Sequence, residues 1–118
     1  MTSAAHIKTD RIFHALADST RRDILRRSLT GEHSISELAA SYDMSFAAVQ
    51  KHVTVLHRAG LLTKRRKGRE ALTRGNPETI RSAAVLLKEL EALWYGRVER
   101  MDMLIAQDAV IPSSSSET

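Results

Sequence analysis

Two helix-start signals lie close together in the first half of the chain, and they constrain its fold more than any other feature. Ser34 and Glu37 match the S-x-x-E capping box, in which each side chain satisfies a free backbone N–H at a helix start. Ser45 is a second capping residue a short distance further on. The helix that starts at Ser34 must therefore be short, ending near Asp43. Two helices joined by a tight turn are predicted.

The residues that follow this helix pair predict a hairpin. The second helix runs to Ala59, and Gly60 then stands where a left-handed C-terminal cap is easiest for a residue without a Cβ. Two strand-like segments, 61–66 and 69–74, flank Lys67-Gly68. We expect these segments to form a two-stranded wing.

Further helices are expected on both sides of this unit. Apolar residues recur at helical spacing from Arg11, and Asp18 then offers a cap for a new helix over 19–28. Gly31-Glu32 is predicted to be a turn. After the hairpin, Asn76-Pro77-Glu78 supplies a cap, a proline at the first helical position and an acid in the first turn. The predicted fold is mostly α-helical with a small β-hairpin.

The positive charge of the chain is concentrated in the predicted second helix and wing. Between Ser45 and Gly75 there are eight Lys or Arg residues and one acid, Glu70. Residues 1–44 hold six bases and six acids, and residues 76–118 hold four bases and seven acids, so the net charge of +4 arises from this segment. A basic block between neutral and acidic flanks indicates one face that meets phosphate, and we expect double-stranded DNA as the partner.

The helix after Ser45 has the pattern of a helix that reads DNA. At about 100° per residue, its apolar residues converge on one side and a polar set lies opposite. Gln50 is the first choice for base reading, because its amide can bond adenine bidentately. Any surface helix has a polar side, but a hairpin tip needs no such density of charge to fold. The predicted DNA contacts are Ser45, Phe46, Ala47, Gln50, Lys51, His52, Thr54, Arg58, Lys64, Arg65, Arg66, Lys67 and Arg69.

Several classes of function are excluded by composition and motif. The absence of cysteine rules out disulfides, thiolate metal sites and catalytic thiols. The five histidines fall on different elements without acid or thiol partners at ligand spacing, and no nucleophile motif occurs. We therefore predict no metal, no cofactor and no enzyme activity. No apolar run approaches the roughly 20 residues that span a bilayer, and no signal peptide is evident, which favours a cytoplasmic protein.

The last predicted helix carries one long apolar stripe. Its residues, spaced by three or four throughout, are Ile80, Ala83, Leu87, Leu90, Trp94, Val98, Met101 and Ile105. A small domain with few bulky residues often completes its core by pairing with a second copy. Acids on the polar side of the helix argue against a membrane surface. We predict a flexible N-terminus over 1–9, one domain over 10–107 and a disordered tail over 108–118.

Four runs of residues resemble a known family in their order and spacing, namely ALADSTRRDIL at 15–25, ISELA at 35–39, AVQKHV at 48–53 and AGL at 59–61. They resemble the ArsR family of bacterial winged-helix repressors. The resemblance implies a winged helix-turn-helix fold and a homodimer joined through its first and last helices. It also implies two recognition helices in successive major grooves of a roughly palindromic operator. The resemblance therefore implies that the dimer contacts are Ile12, Phe13, Leu87, Leu90, Trp94, Val98, Met101 and Ile105.

The chain departs from that family in three respects. Many members carry a cysteine pair on the helix that begins at Ile35, where this chain has serines. Others bind metal through Asp and His on the last helix, but no histidine follows His57. The sequence therefore resembles the metal-independent branch, whose members often repress their own operon. In the recognition helix, Phe46-Ala47 and Gln50 replace the family's frequent Gln-Pro and Ser, which implies a different operator sequence.

These patterns favour a homodimeric repressor that binds a near-palindromic operator of its own operon. Two alternatives stay open. One is a ligand-responsive repressor with an effector pocket at the dimer interface, lined by Trp94 and Met101, in which an effector would stabilise the protein while lowering its operator affinity. The other is a winged-helix module that docks on another protein and has little affinity for DNA.

Overall fold

The computed structural model describes residues 4–109, without the side chains of Ala5 and of residues 106–109. Five helices and three short strands follow one another in this part of the chain. In order they are α1 (Ala4–Leu16), α2 (Ser19–Thr30), β1 (His33–Ser34), α3 (Ile35–Ala40), α4 (Phe46–Arg58), β2 (Leu62–Lys67), β3 (Glu70–Gly75) and α5 (Pro77–Ala109). The predicted fold class, mostly α-helical with a small hairpin, is confirmed.

The predicted caps set the helix starts. The side chains of Asp18, Ser34 and Ser45 each accept a hydrogen bond of 3.0 or 3.1 Å from the backbone N–H three residues on. Glu37 completes the capping box by accepting a 2.8 Å hydrogen bond from the backbone N–H of Ser34. After α4 the chain turns at Gly60, whose φ of 80° lies in the left-handed region that favours glycine. The sequence signals for the helix pair are therefore correct.

The sheet has one more strand than the sequence predicts. Its order is β1-β3-β2, with both neighbouring pairs antiparallel, and His33 lies opposite Thr73. A strand of two residues is too short to show any periodicity, so β1 was missed beside the predicted turn at Gly31-Glu32. The hairpin turn also lies one residue later than predicted, because Lys67 still pairs with Glu70.

The core lies where α1–α4 and the base of the sheet meet. Its largest fully buried side chains are Ile24, Leu38, Leu56, Leu61, Leu62, Val49, Val53 and Thr73. The buried Thr73 hydroxyl lies 3.5 Å from the Ser28 hydroxyl and donates to the carbonyl of His33, so its burial is compensated. Ile12 belongs to this core and is 3% exposed. Little of its apolar surface is therefore left to contact a second copy, although it was predicted as a dimer contact.

The first helix begins earlier than expected. Residues 4–9, within the N-terminal segment 1–9 that was predicted to be flexible, are helical. Extending an existing helix gains one hydrogen bond for each residue fixed, so the extension needs no long-range pattern in the sequence. At the other end, α5 runs two residues into the predicted tail 108–118. The rest of that tail lies outside the described residues, as do residues 1–3.

The chain divides into two compact units at Ala83. In the first, Ala83 is buried and Ile80 packs against the core, so the first part of the predicted stripe is used within the chain. In the second, α5 from Ala84 onward exposes most of its large apolar side chains. No helix within residues 4–109 is long and apolar enough to cross a membrane.

Candidate nucleic-acid interface

The outer side of α4 is formed by residues that the sequence predicts as DNA contacts. Burial of Val49, Val53 and Leu56 fixes which side of the helix faces the core. The side chains exposed elsewhere on the helix include Phe46, Ala47, Gln50, Lys51 and Arg58. Because Ser45 caps the helix, the free backbone N–H groups and the positive end of the helix dipole lie beside Phe46 and Ala47. This end of α4 is therefore suited to approach phosphate.

Strand alternation divides the wing cations between two faces. Successive side chains of a strand point to opposite sides of the sheet. The first residue of β2, Leu62, is buried, so Lys64 and Arg66 share its face. Arg65 and Lys67 lie on the opposite face. The wing residues predicted as one DNA-binding group thus form two sets with different surroundings.

The face of the wing that carries Arg66 lies next to α4. Arg66 and Arg69 line a shallow depression together with Phe46 and Gln50, so the wing tip and the first turns of α4 border one concave surface. Glu70 lines the same depression and is the one acid in the basic block. Guanidinium groups and an amide on one surface can bond both phosphate oxygens and base edges.

Arg65, on the opposite face of the wing, is already bound within the protein. Its Nε and Nη2 donate hydrogen bonds of 2.7 and 2.8 Å to the two carboxylate oxygens of Glu32. The Arg65 guanidinium lowers the pKa of the Glu32 carboxyl below its usual range, and Arg74 and Lys67 contribute further through their charge. The second face of the wing therefore carries an internal counter-ion.

Comparison with known proteins identifies the family. A family model described as bacterial regulatory protein, arsR family, matches residues 18–64. The uncharacterized HTH-type transcriptional regulator YuzN of Bacillus subtilis is 41% identical over 80 residues, which cover 62% of this chain and 87% of YuzN. This chain belongs to the ArsR family. The arsenical resistance operon repressor of Escherichia coli is 30% identical over 95 residues, covering 80% of this chain and 79% of the repressor.

A solved structure agrees with this assignment to the ArsR family. The ArsR-like transcriptional regulator from Rhodococcus sp. RHA1 has a TM-score of 0.72 and 29% identity, over 91% of this chain and 97% of that one. The chain is thus a transcriptional regulator with a DNA-binding winged helix-turn-helix, which confirms the prediction that it is no enzyme. Its lack of cysteine agrees with the metal-independent branch of the ArsR family. Among the side chains that the structure describes, no group of three or more His, Asp or Glu is placed to hold a metal ion.

Besides Arg65, three of the predicted DNA contacts of this ArsR-family chain have structural partners. The ring Nδ1 of His52 lies 3.3 Å from a terminal nitrogen of Arg21, whose guanidinium also donates to carbonyls at the end of α1. His52 is half-buried, and its contact with Arg21 joins α4 to α2 and, through Arg21, to the end of α1. The Thr54 hydroxyl donates to the carbonyl of Gln50, and the Ser45 hydroxyl caps the helix. The hydroxyl groups of Ser45 and Thr54 thus form hydrogen bonds with the backbone of α4.

The position of the helix pair depends on a cluster that the sequence did not reveal. Tyr42, in the turn before α4, donates a hydrogen bond to Asp23 of α2. Arg27 contacts the same carboxylate oxygen at 3.0 Å and lies over the Tyr42 ring at 5.3 Å from its centroid. The Tyr42 hydrogen bond, followed by that from Arg27, lowers the pKa of Asp23. In this ArsR-family chain, the ionised carboxylate of Asp23 therefore links the turn of the helix-turn-helix to α2.

Proposed function

We propose that the chain is a homodimeric repressor that binds an operator of its own operon in the cytoplasm. The observation that carries this proposal is the shared surface of the wing tip and α4, where Arg66 and Arg69 stand beside Gln50. Cations there can neutralise phosphates while the amide reads a base edge. Non-specific attraction and sequence reading would then act on the same stretch of duplex.

The proposed DNA contacts are those on this side of the protein. On α4 they are Phe46, Ala47, Gln50 and Lys51, which are exposed, with Ser45 placing the helix N-terminus. On the wing they are Lys64, Arg66 and Arg69. Arg58 is exposed near the end of α4, where it lines a depression with residues of α1. We assign it a peripheral phosphate contact.

Pairing of two copies is supported by the apolar side of α5 in the second unit. At about 100° per residue, the apolar residues from Leu86 to Ile105 other than Ala92, Tyr95 and Met103 cover an arc of roughly 140°, wider than a simple two-residue heptad seam. Leu93 is 70% exposed and Trp94 is 59% exposed, and a large exposed apolar patch is typical of an interaction site. A second copy of the same helix would cover this surface with matching chemistry.

Repression is the consequence that we infer for promoter activity, in line with the name of the Escherichia coli relative. A reporter driven by the DNA upstream of the coding sequence tests it directly. Expression should fall when the chain is supplied and recover with the double variant Lys64→Ala/Arg66→Ala. If the reporter is unchanged or rises with the unmodified chain, repression is wrong even where DNA binding holds.

A ligand-responsive form of this repressor is the second candidate, and one observation favours it. The depression between α1 and α4 has a volume of about 360 Å³, and Val55, Arg58 and Ala59 line it from the end of α4. A molecule bound there could bias the position of α4. An effector would raise the melting temperature and weaken operator binding together, by thermodynamic linkage.

A further inference from the structure

The Glu32–Arg65 pair reproduces the geometry in which arginine binds phosphate. Two guanidinium nitrogens of Arg65 donate in parallel to the two oxygens of one Glu32 carboxylate, at 2.7 and 2.8 Å. Arginine binds phosphate oxygens through the same two-pronged contact. We propose that Glu32 occupies Arg65 in place of a DNA phosphate and so restrains the attraction of the wing for DNA. This inference rests on the proposed function, since it concerns how the wing meets a duplex.

The surroundings of Glu32 are those of an acid set among cations. Arg74 and Lys67 share a face of the hairpin with Arg65, because all three alternate with the residues that face the core. Each of the three acts on the Glu32 carboxylate by charge. Glu32 itself precedes β1, outside the basic block, so its contact with the wing depends on the three-stranded sheet. The carboxylate thus offsets part of the positive charge on this side of the wing.

The pair is placed so that a phosphate can displace it. The Arg65 side chain is 56% exposed and the Glu32 side chain 24% exposed, so both are reached by solvent. An ion pair in contact with water is held weakly, since each partner can exchange for water or for another ion. Binding of Arg65 to the DNA backbone would require this exchange, with the released carboxylate left beside the duplex. Because that carboxylate would repel the neighbouring phosphates, Arg65 should add little affinity while Glu32 is present.

A thermodynamic cycle on the full chain tests this competition. Affinity for a random-sequence duplex is measured by fluorescence anisotropy over a salt series, for the unmodified chain, Glu32→Gln, Arg65→Ala and the double variant. We expect Arg65→Ala alone to change affinity less than twofold. Glu32→Gln should strengthen binding, and its salt slope should steepen by about 0.9, so that the loss between 50 and 200 mM salt grows by about 3.5-fold. Adding Arg65→Ala to Glu32→Gln should remove most of that gain.

The matched control is Glu70→Gln, which removes the same charge from the wing itself. Glu70 has no ion-pair partner within 4.0 Å among the described residues, so its loss measures the general effect of one acid near DNA. A gain with Glu70→Gln should persist when Arg65→Ala is added, and a gain with Glu32→Gln that also persists overturns the inference. The inference is also overturned if Glu32→Gln binds the duplex more weakly than the unmodified chain, or if Arg65→Ala alone causes a large loss of affinity. Glu32 would then orient Arg65 toward DNA. If the unmodified chain binds no duplex, the proposed function fails instead.

Discussion

The Tyr42 hydroxyl donates a hydrogen bond of 2.5 Å to the Asp23 carboxylate, and this contact joins the turn of the helix-turn-helix to α2. The two residues are far apart in sequence, so the bond fixes the helix pair against a separate element. Arg27 supports it from α2 by its own contact with Asp23. The orientation of α4 therefore depends in part on a polar contact between the turn that precedes it and α2.

Tyr42 should titrate far above the usual range of a phenol. Burial, followed by the hydrogen bond to Asp23, raises its pKa from 10.0 to about 12. Since the unfolded chain ionises near 10.0, the stability that Tyr42 contributes is complete below that pH and is lost as the pH rises toward about 12. In a Tyr95→Phe variant, tyrosinate absorbance should report Tyr42 alone. A midpoint near the ordinary value would show that the contact with Asp23 does not persist in solution.

The helix signals in the sequence were accurate because capping is local chemistry. The Ser34–Glu37 box and the Ser45 cap each need only residues three positions apart, and both form as predicted. The strand β1 depends instead on pairing with β3, which lies far along the chain. Its two residues are too few to show the alternation that predicts a strand. Local rules could therefore predict the helix-turn-helix, while the third strand required the tertiary structure.

The sequence could locate the basic block of the candidate site, but not the internal partners of its residues. Counting charges located the basic block, but it could not show that strand alternation separates Arg65 from Arg66, or that Glu32 reaches Arg65 from outside the block. His52 resembles a phosphate contact in sequence because it follows Lys51. Its half-buried contact with Arg21 depends on how α2 crosses α4. Such long-range partners have no signature in a single sequence.

Substitutions of Ser45 should separate the stability of α4 from DNA affinity. Ser45→Ala removes the cap and should lower the free energy of unfolding by about 1 kcal/mol, measured by urea denaturation. Ser45→Asp keeps an acceptor at the cap and should preserve stability, but its charge should repel phosphate and weaken DNA binding. If Ser45→Asp binds DNA as well as the unmodified chain does, the start of α4 does not approach the backbone.

Gln50 and the wing cations should act on DNA in different ways. Gln50→Ala should change base preference by about 1–3 kcal/mol at one operator position, because its amide reads a base edge. Lys64→Ala/Arg66→Ala should weaken all sequences alike and flatten the salt slope by about 0.9 for each lost phosphate contact. Lys67→Ala, on the opposite face of the wing, is the control with a smaller expected loss. If all three changes lower DNA affinity equally and independently of sequence, Gln50 does not read a base.

Assembly should depend on the apolar side of α5. Leu93 and Leu104 are eleven residues apart, about three helical turns, and so lie on the same face, where both are exposed. Leu93→Asp should shift the chain from dimer to monomer in sedimentation equilibrium, because a charge would be buried between the copies. Ala92→Asp, on the polar side of the same turn, should leave the dimer unchanged. Equal effects of the two variants would place the interface elsewhere.

The most direct test of the account is a comparison of two duplexes, one carrying the DNA upstream of the coding sequence and one with the same bases shuffled. Anisotropy titrations of the unmodified chain over a salt series measure both affinities. We predict at least tenfold tighter binding to the upstream duplex, and affinity for both that falls steeply as salt rises. Equal affinity for the two duplexes, or binding that does not respond to salt, would contradict a basic surface of α4 and wing that reads an operator.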